Sequence, residues 1–104
     1  LSIRLGVEKG PIQMVVLKAM VETKRTMPKA NIDPTTVSEF QIGSRTAVRL
    51  DFDDPGATPV TSNALIFVLI DGGAVVMRVA APKDAWEQVS VDLDAALEAL
   101  VWKE

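Results

Sequence analysis

The sequence predicts an α+β fold: one domain over residues 1–104, with an antiparallel sheet of about five strands and helices packed on both faces, in the order β-α-β-β-β-β-α. Two β-favouring runs, 64–70 and 74–80, are separated by Asp71-Gly72-Gly73, which is a hairpin signal. The first run is apolar at odd and even positions alike, so both faces of its strand need a cover. Two other segments repeat apolar residues at helical spacing and can each provide one cover.

The first forty residues predict a strand, a helix and a connection. Residues 1–7 alternate between apolar and other residues, which is typical of a half-buried strand near a sheet edge. The apolar members are Leu1, Ile3, Leu5 and Val7. Lys9-Gly10-Pro11 ends this strand, and a helix is predicted over Ile12–Thr26, because Pro28 disfavours helix at the residue before it. Its sheet-facing stripe is Ile12, Val15, Val16, Ala19, Met20 and Thr23.

The remainder predicts two hairpins and a closing helix. Strands are expected over 37–42 and 46–53, with a long loop over 53–63 before the glycine hairpin. In that hairpin we expect Gly72 and Gly73 to adopt conformations open mainly to glycine. The last helix is expected to begin at 81–84. Its core-facing stripe is Trp86, Val89, Leu93, Ala96, Leu97 and Leu100, and Val101 and Trp102 are expected to pack where the helix ends.

Composition restricts the chemistry more than it identifies it. The 104 residues include no cysteine, histidine or tyrosine, and the formal net charge is −3. We therefore expect no thiolate nucleophile, histidine proton shuttle, metal site or cofactor, and no binding along nucleic-acid phosphates. Serines 38, 44 and 90 have no histidine to activate them. No run approaches the eighteen or so apolar residues of a membrane span, and nothing indicates the cellular compartment.

Two charged clusters are candidate sites. Asp51, Asp53 and Asp54 could offer oxygens to Ca²⁺ or Mg²⁺, but their spacing does not fit a calcium loop, and aspartate is favoured at a strand end for turn chemistry. Arg45, Arg49 and Arg78 could form an anion site if their strands were neighbours. Pairing with cross-strand partners accounts for these charges more simply.

The most informative surface lies on the predicted first helix. Met14, Leu17 and Val21 fall opposite the sheet-facing stripe and have Lys18, Lys24 and Arg25 beside them. An apolar strip with a basic rim is typical of a partner-binding or self-association surface, so Met14, Leu17, Val21 and Lys18 are the predicted partner-binding residues. The alternative is that Met14 lies under a neighbouring loop and the others are exposed singly.

A second hypothesis places a small apolar ligand between helix and sheet. Met20, Met27 and Met77 would line that pocket, because methionine side chains adapt to many shapes. A hydrolase that uses carboxylates alone is the least favoured hypothesis, since no pair of a general acid and a general base can be located in the sequence.

Three segments resemble a known family. They are the hairpin Asp71-Gly72-Gly73-Ala74-Val75-Val76, the helix entry Ala81-Pro82-Lys83-Asp84-Ala85-Trp86 with the run 93–102, and the upstream turn Phe40-Gln41-Ile42-Gly43-Ser44-Arg45-Thr46-Ala47. Together they resemble the PsbP-like family, whose fold is shared by the extrinsic photosystem protein and the Ran-binding Mog-type protein. Some bacterial relatives resemble chaperones for secreted effectors.

The resemblance implies an antiparallel sheet covered by helices on both sides and a binding role in place of catalysis. Two departures matter. The family usually has one or two strands before the position of Leu1, and the metal-ligating histidines of the photosystem protein have no counterpart here. The expected function is that of a non-enzymatic accessory protein that acts through protein contacts, as a homodimer in the simplest case.

Overall fold

A computed structural model of the chain describes residues 1–99. The sequence expectations for Leu100, Val101 and Trp102 lie outside the described residues. The elements are β1 Ser2–Lys9, α1 Ile12–Thr26, β2 Ser38–Ile42, β3 Arg45–Asp54, β4 Thr61–Ile70, β5 Gly73–Pro82 and α2 Trp86–Ala99, with single 3₁₀ turns over Pro34–Thr36 and Lys83–Ala85. The predicted element order and the bounds of the first helix are confirmed.

The five strands form one antiparallel sheet in the order β1-β5-β4-β3-β2. Strands β2 to β5 follow one another as neighbours, and β1 returns to pair with β5 at the edge. Two of the turns require glycine, since Gly43 and Gly72 have φ values of 61° and 77°. The expectation for Gly73 was wrong: its φ is not positive, and it is the backbone of Glu8 that leaves no room for a side chain there.

Each face of the sheet carries one helix and one core, as predicted. On the first face α1 buries Val15, Ala19 and Thr23. The strand residues of that core are Leu50, Phe52, Leu65, Phe67, Ala74 and Val76. On the second face, Leu93 of α2 is buried with Trp86, Val89 and Leu97 half-buried beside it. The strand residues there are Ile42, Ala47, Ala64, Ile66, Val68 and Val79.

Several local expectations need correction. β4 begins at Thr61 and not near residue 64, because its polar start pairs with the end of β3 and the Ser62 hydroxyl donates to Asp53 Oδ1 at 2.7 Å. The long loop is correspondingly shorter. α2 begins at Trp86 after a 3₁₀ turn, and Ala96 is exposed instead of facing the core. Among the described helices, none is long and apolar enough to cross a bilayer.

The exposure of the alternating apolar residues at positions 1–7 is the largest departure from the sequence expectation. Leu1, Ile3, Leu5 and Val7 are 76, 57, 68 and 66% exposed, although the alternation predicts a half-buried strand. Apolar residues do alternate along β1 as expected, but α2, the helix on their face of the sheet, does not cover them. α2 packs on the same face of the sheet, but its second half lies over β3 and β2.

Candidate functional site

The first candidate surface is the apolar row of β1, defined here as Ile3, Leu5 and Val7. These residues lie opposite Val79, Met77 and Val75 of β5, so they share the α2 face of the sheet. Val75 and Met77 are only half-buried and extend the row inward from the edge. The result is an exposed apolar surface two strands wide, of the kind that commonly marks an interaction site.

α2 begins next to β5 and its second half lies over the other half of the sheet, so this row stays open. Arg49 of β3 donates from Nη1 to Asp94 Oδ1 at 2.6 Å and from Nη2 to Ser90 Oγ at 3.4 Å. Leu97, one turn further along, shares a groove with Phe40 of β2. The second half of α2 therefore lies over β3 and β2, on the side of the sheet away from β1.

The backbone of β1 is also available for pairing. Gly10 N donates to Gly72 O at 2.8 Å in the β1–β5 register. In an antiparallel ladder hydrogen-bonded pairs alternate with non-bonded ones, so the even residues of β1 bond to β5 and the odd ones direct N–H and C=O groups to the free edge. Residues 3, 5 and 7 thus combine exposed apolar side chains with backbone groups that pair with no strand among residues 1–99.

The opposite edge of the sheet is protected in ways that β1 is not. β2 has only five residues, of which Ser38, Glu39 and Gln41 are exposed and polar. Short, polar edge strands discourage pairing with another chain. β1 has eight residues, with no proline and no charge within its apolar row.

The predicted partner strip on α1 is exposed on the other side of the molecule. Met14, Leu17 and Val21 are 60, 54 and 62% exposed, so Met14 does not lie under a loop. Lys18 Nζ lies 3.4 Å from Glu8 Oε2. Because α1 packs on the face opposite to α2, this strip and the β1 row are two separate apolar surfaces.

A cleft of about 540 Å³ lies beneath α1, towards the β1 side of the sheet. Its floor follows two cross-strand rows. The first row is Ser2, Ala80, Asn63 and Phe52, and the second is Arg4, Arg78 and Leu65. Its roof is the α1 side that carries Val15, Lys18, Ala19, Glu22, Thr23 and Thr26, with Met27 next to it. The lining therefore combines apolar, neutral polar and charged side chains.

The charges of this cleft do not balance. Its two carboxylates already have cationic partners, since Glu8 pairs with Lys18 and Glu22 pairs with Arg25. The hydrogen bond from Arg25 is the main reason that the pKa of Glu22 is lowered, with a smaller contribution from the charge of Arg78. Arg4 and Arg78 lie directly opposite each other on neighbouring strands, and neither makes an ion pair or side-chain hydrogen bond to any described residue.

The methionine pocket does not form as expected. Met27 lines the cleft and Met20 packs in the α1-side core, but Met77 lies on the opposite face of the sheet. The three residues therefore share no cavity. Successive side chains of a strand point to opposite faces, and the position of Met77 in β5 places it on the α2 face.

The arginine cluster is also divided. Arg49 lies on the α2 face, where it forms ion pairs with Asp51 and Asp94 that raise its pKa, Asp51 being the larger cause. Arg45 shares that face and donates to Leu69 O at 3.1 Å. Arg78 lies on the α1 face. Arg49 is paired, but with Asp51 of its own strand and Asp94 of α2 instead of the expected cross-strand partner, while Arg78 lies opposite a second arginine, Arg4, that sequence reasoning missed. Arg4 lies opposite Arg78 because of the β1–β5 register, which the sequence does not show.

The aspartates near the end of β3 have structural roles. Asp51 pairs with Arg49, Asp54 Oδ1 accepts from Gly56 N at 3.0 Å, and Asp53 accepts from Ser62 and pairs with Lys83 at 3.0 Å. The hydrogen bond from Ser62, followed by that from Lys83, lowers the pKa of Asp53. Within residues 1–99, no three acidic side chains gather in a way that could hold a metal ion.

Comparisons with known proteins give the fold and no function. No protein-family model matches the sequence, and no curated protein sequence matches it. A solved structure of similar fold is that of PA94 from Pseudomonas aeruginosa, a protein of unknown function and candidate regulator. The two superpose with a TM-score of 0.73 and 12% identity, over 99% of this chain and 84% of that one. At that identity the likeness shows the fold alone.

Proposed function

We propose that this chain is a non-enzymatic binding protein that acts through protein contacts, and that β1 is the surface at which two copies associate. One observation carries the proposal: the apolar row is exposed on a long edge strand whose outward backbone groups pair with no strand among residues 1–99. Such an edge is a template for strand addition. The resemblance to the PsbP-like family, which implies binding, and the regulator role suggested for PA94 are consistent with it.

A second copy suits this edge because β1 is self-complementary. A two-fold axis perpendicular to the sheet places residues of the same face opposite each other. With the axis at Leu5, Leu5 meets Leu5 and Ile3 meets Val7 of the second copy, so every member of the row faces an apolar residue. With the axis at Gly6, Ile3 would instead face Lys9. We therefore propose the register centred on Leu5, which joins the two sheets edge to edge.

The strip on α1 is the alternative association surface. It offers apolar side chains alone, because helix backbone groups are bonded within the helix, and its neighbours Lys18 and Glu22 already have partners. The β1 row offers both side chains and backbone hydrogen bonds. For that reason we assign self-association to β1 and expect the α1 strip to contribute less.

Cysteine substitution distinguishes the two surfaces, because the chain contains no cysteine. In the proposed register, the two Cα atoms of residue 5 lie about 5.5 Å apart, which a disulfide can span. Leu5→Cys should form a covalent dimer under mild oxidation at low protein concentration. The matched variant Leu17→Cys, on α1, should not.

Native mass by light scattering completes the test. Wild type should be dimeric, Leu5→Glu should be monomeric with an unchanged circular dichroism spectrum, and Leu17→Glu should remain dimeric. A wild type that stays monomeric at high concentration would contradict self-association. If Leu17→Glu abolishes the dimer, or if Leu17→Cys forms a covalent dimer and Leu5→Cys does not, the interface lies on α1.

A further inference from the structure

We infer that the cleft beneath α1 binds a small organic anion, with its carboxylate or phosphate group held between Arg4 and Arg78 and its apolar part lying beside Met27 and Ala80. This inference does not depend on self-association. In the register centred on Leu5, Arg4 faces Gly6 of the second copy, which has no side chain to occupy the cleft.

The first argument is the position of two like charges. Arg4 and Arg78 are direct cross-strand partners on the same face of the sheet. Like charges placed opposite each other destabilise a sheet, and a guanidinium pair is a common binding arrangement for carboxylate or phosphate. The carboxylates of the cleft relieve this repulsion only in part, since Glu8 and Glu22 pair with Lys18 and Arg25 and the attraction of Glu22 to Arg78 is a smaller effect. An external anion would relieve it.

The second argument is the composition of the floor next to the arginines. The accessible apolar lining is Met27 and Ala80, which are half-buried, whereas Phe52 and Leu65 line the cleft with less than a tenth of their surface exposed. Asn63 lies in the same row as Ala80 with only 5% of its surface exposed, and its Nδ2 donates to Thr61 O at 3.3 Å. A ligand therefore needs an anionic end beside the arginines and an apolar body that reaches inward. A free inorganic anion would leave the apolar floor unused.

The third argument is size. About 540 Å³ falls within the roughly 300–1,000 Å³ typical of small-molecule sites. This space accommodates a chain of several carbons together with its headgroup. The chemistry is thus that of the expected helix–sheet ligand site, but with an anionic headgroup in place of a purely apolar ligand.

Calorimetric titration of the full chain tests the inference with three probes of equal chain length. Octanoate and octyl phosphate carry the two candidate headgroups, and octanol carries none. At least one of the anions should bind, and octanol should bind at least about tenfold more weakly, as expected for the loss of charge-assisted hydrogen bonds. The anion that binds more tightly identifies the headgroup class.

Variants locate the site. Arg4→Gln and Arg78→Gln should each weaken binding of the preferred anion by about tenfold or more. Lys9→Gln removes the same charge from the same strand but from the other face, and should bind like wild type. A thermal melt of each variant shows whether it is folded. The inference is overturned if neither anion binds, if octanol binds equally well, or if folded Arg4→Gln and Arg78→Gln variants bind as tightly as Lys9→Gln.

Discussion

Gly73 lies against the backbone of Glu8, at the point where β5 begins and β1 ends. A Cβ built on Gly73 would overlap the Glu8 carbonyl oxygen, which a strand backbone cannot move without breaking its pairing. Gly72, its neighbour, has open space around it and requires glycine only for its φ of 77°. The two adjacent glycines therefore act by different mechanisms, one through close approach and one through backbone conformation.

The first prediction concerns this contact. Gly73→Val should destabilise the fold by about 1–3 kcal/mol or more and loosen β1 from β5, because the added side chain displaces the Glu8 carbonyl. Chemical denaturation gives the free energy, and amide hydrogen exchange in β1 reports the local effect. Gly72→Ala, the control, should cost about 1 kcal/mol without faster exchange in β1. An unchanged denaturation midpoint for Gly73→Val would contradict the close-packed contact.

The second prediction concerns α2. Leu93 is the residue by which α2 is buried on its face of the sheet, so Leu93→Ala should lower the free energy of unfolding by about 2–5 kcal/mol. Val91 lies on the same helix and is 58% exposed, so Val91→Ala should change it by less than about 0.5 kcal/mol. Equal effects of the two substitutions would show that α2 is rotated from the described position.

The third prediction separates stability from binding in the cleft. Arg4→Gln removes one of two opposed charges and should stabilise the unliganded protein by about 0.2–1 kcal/mol, while it weakens anion binding. The gain should shrink as salt is added, because salt screens exposed charges. Thermal melts at low and high ionic strength measure it, with Lys9→Gln as the control. A loss of stability that is insensitive to salt would mean that Arg4 supports the sheet instead of a ligand.

The fourth prediction concerns acid stability. The hydrogen bonds from Ser62 and Lys83 lower the pKa of Asp53 from its ordinary 3.8 in the folded chain. A folded pKa below the unfolded one stabilises the fold at neutral pH, and this stabilisation is lost as the pH falls from the unfolded value through the folded one. Between about pH 5 and about pH 2, Asp53→Asn should therefore lose less stability than wild type. Ser62→Ala should lie between the two. Identical pH profiles for all three proteins would contradict this role for Asp53.

The segments that could be predicted from the sequence are those governed by near neighbours. Apolar spacing and Pro28 were sufficient to locate the helix Ile12–Thr26, and Gly43 and Gly72 mark turns whose backbone admits little else. The run 64–70, apolar at both parities, requires a sheet covered on both sides, which the two cores provide. The exposed strip on α1 follows from the same helical spacing.

The order of the strands and the lateral position of α2 on the sheet could be learned only from the tertiary structure. β1 pairs with β5, more than sixty residues away along the chain, and only that register places Arg4 opposite Arg78 and Gly73 against Glu8. The second half of α2 lies over β3, where Arg49 contacts Asp94 and Ser90, and the apolar row of β1 stays open. Periodicity and turn chemistry arise from residues a few positions apart, whereas these contacts join distant residues and leave no local signal in the sequence.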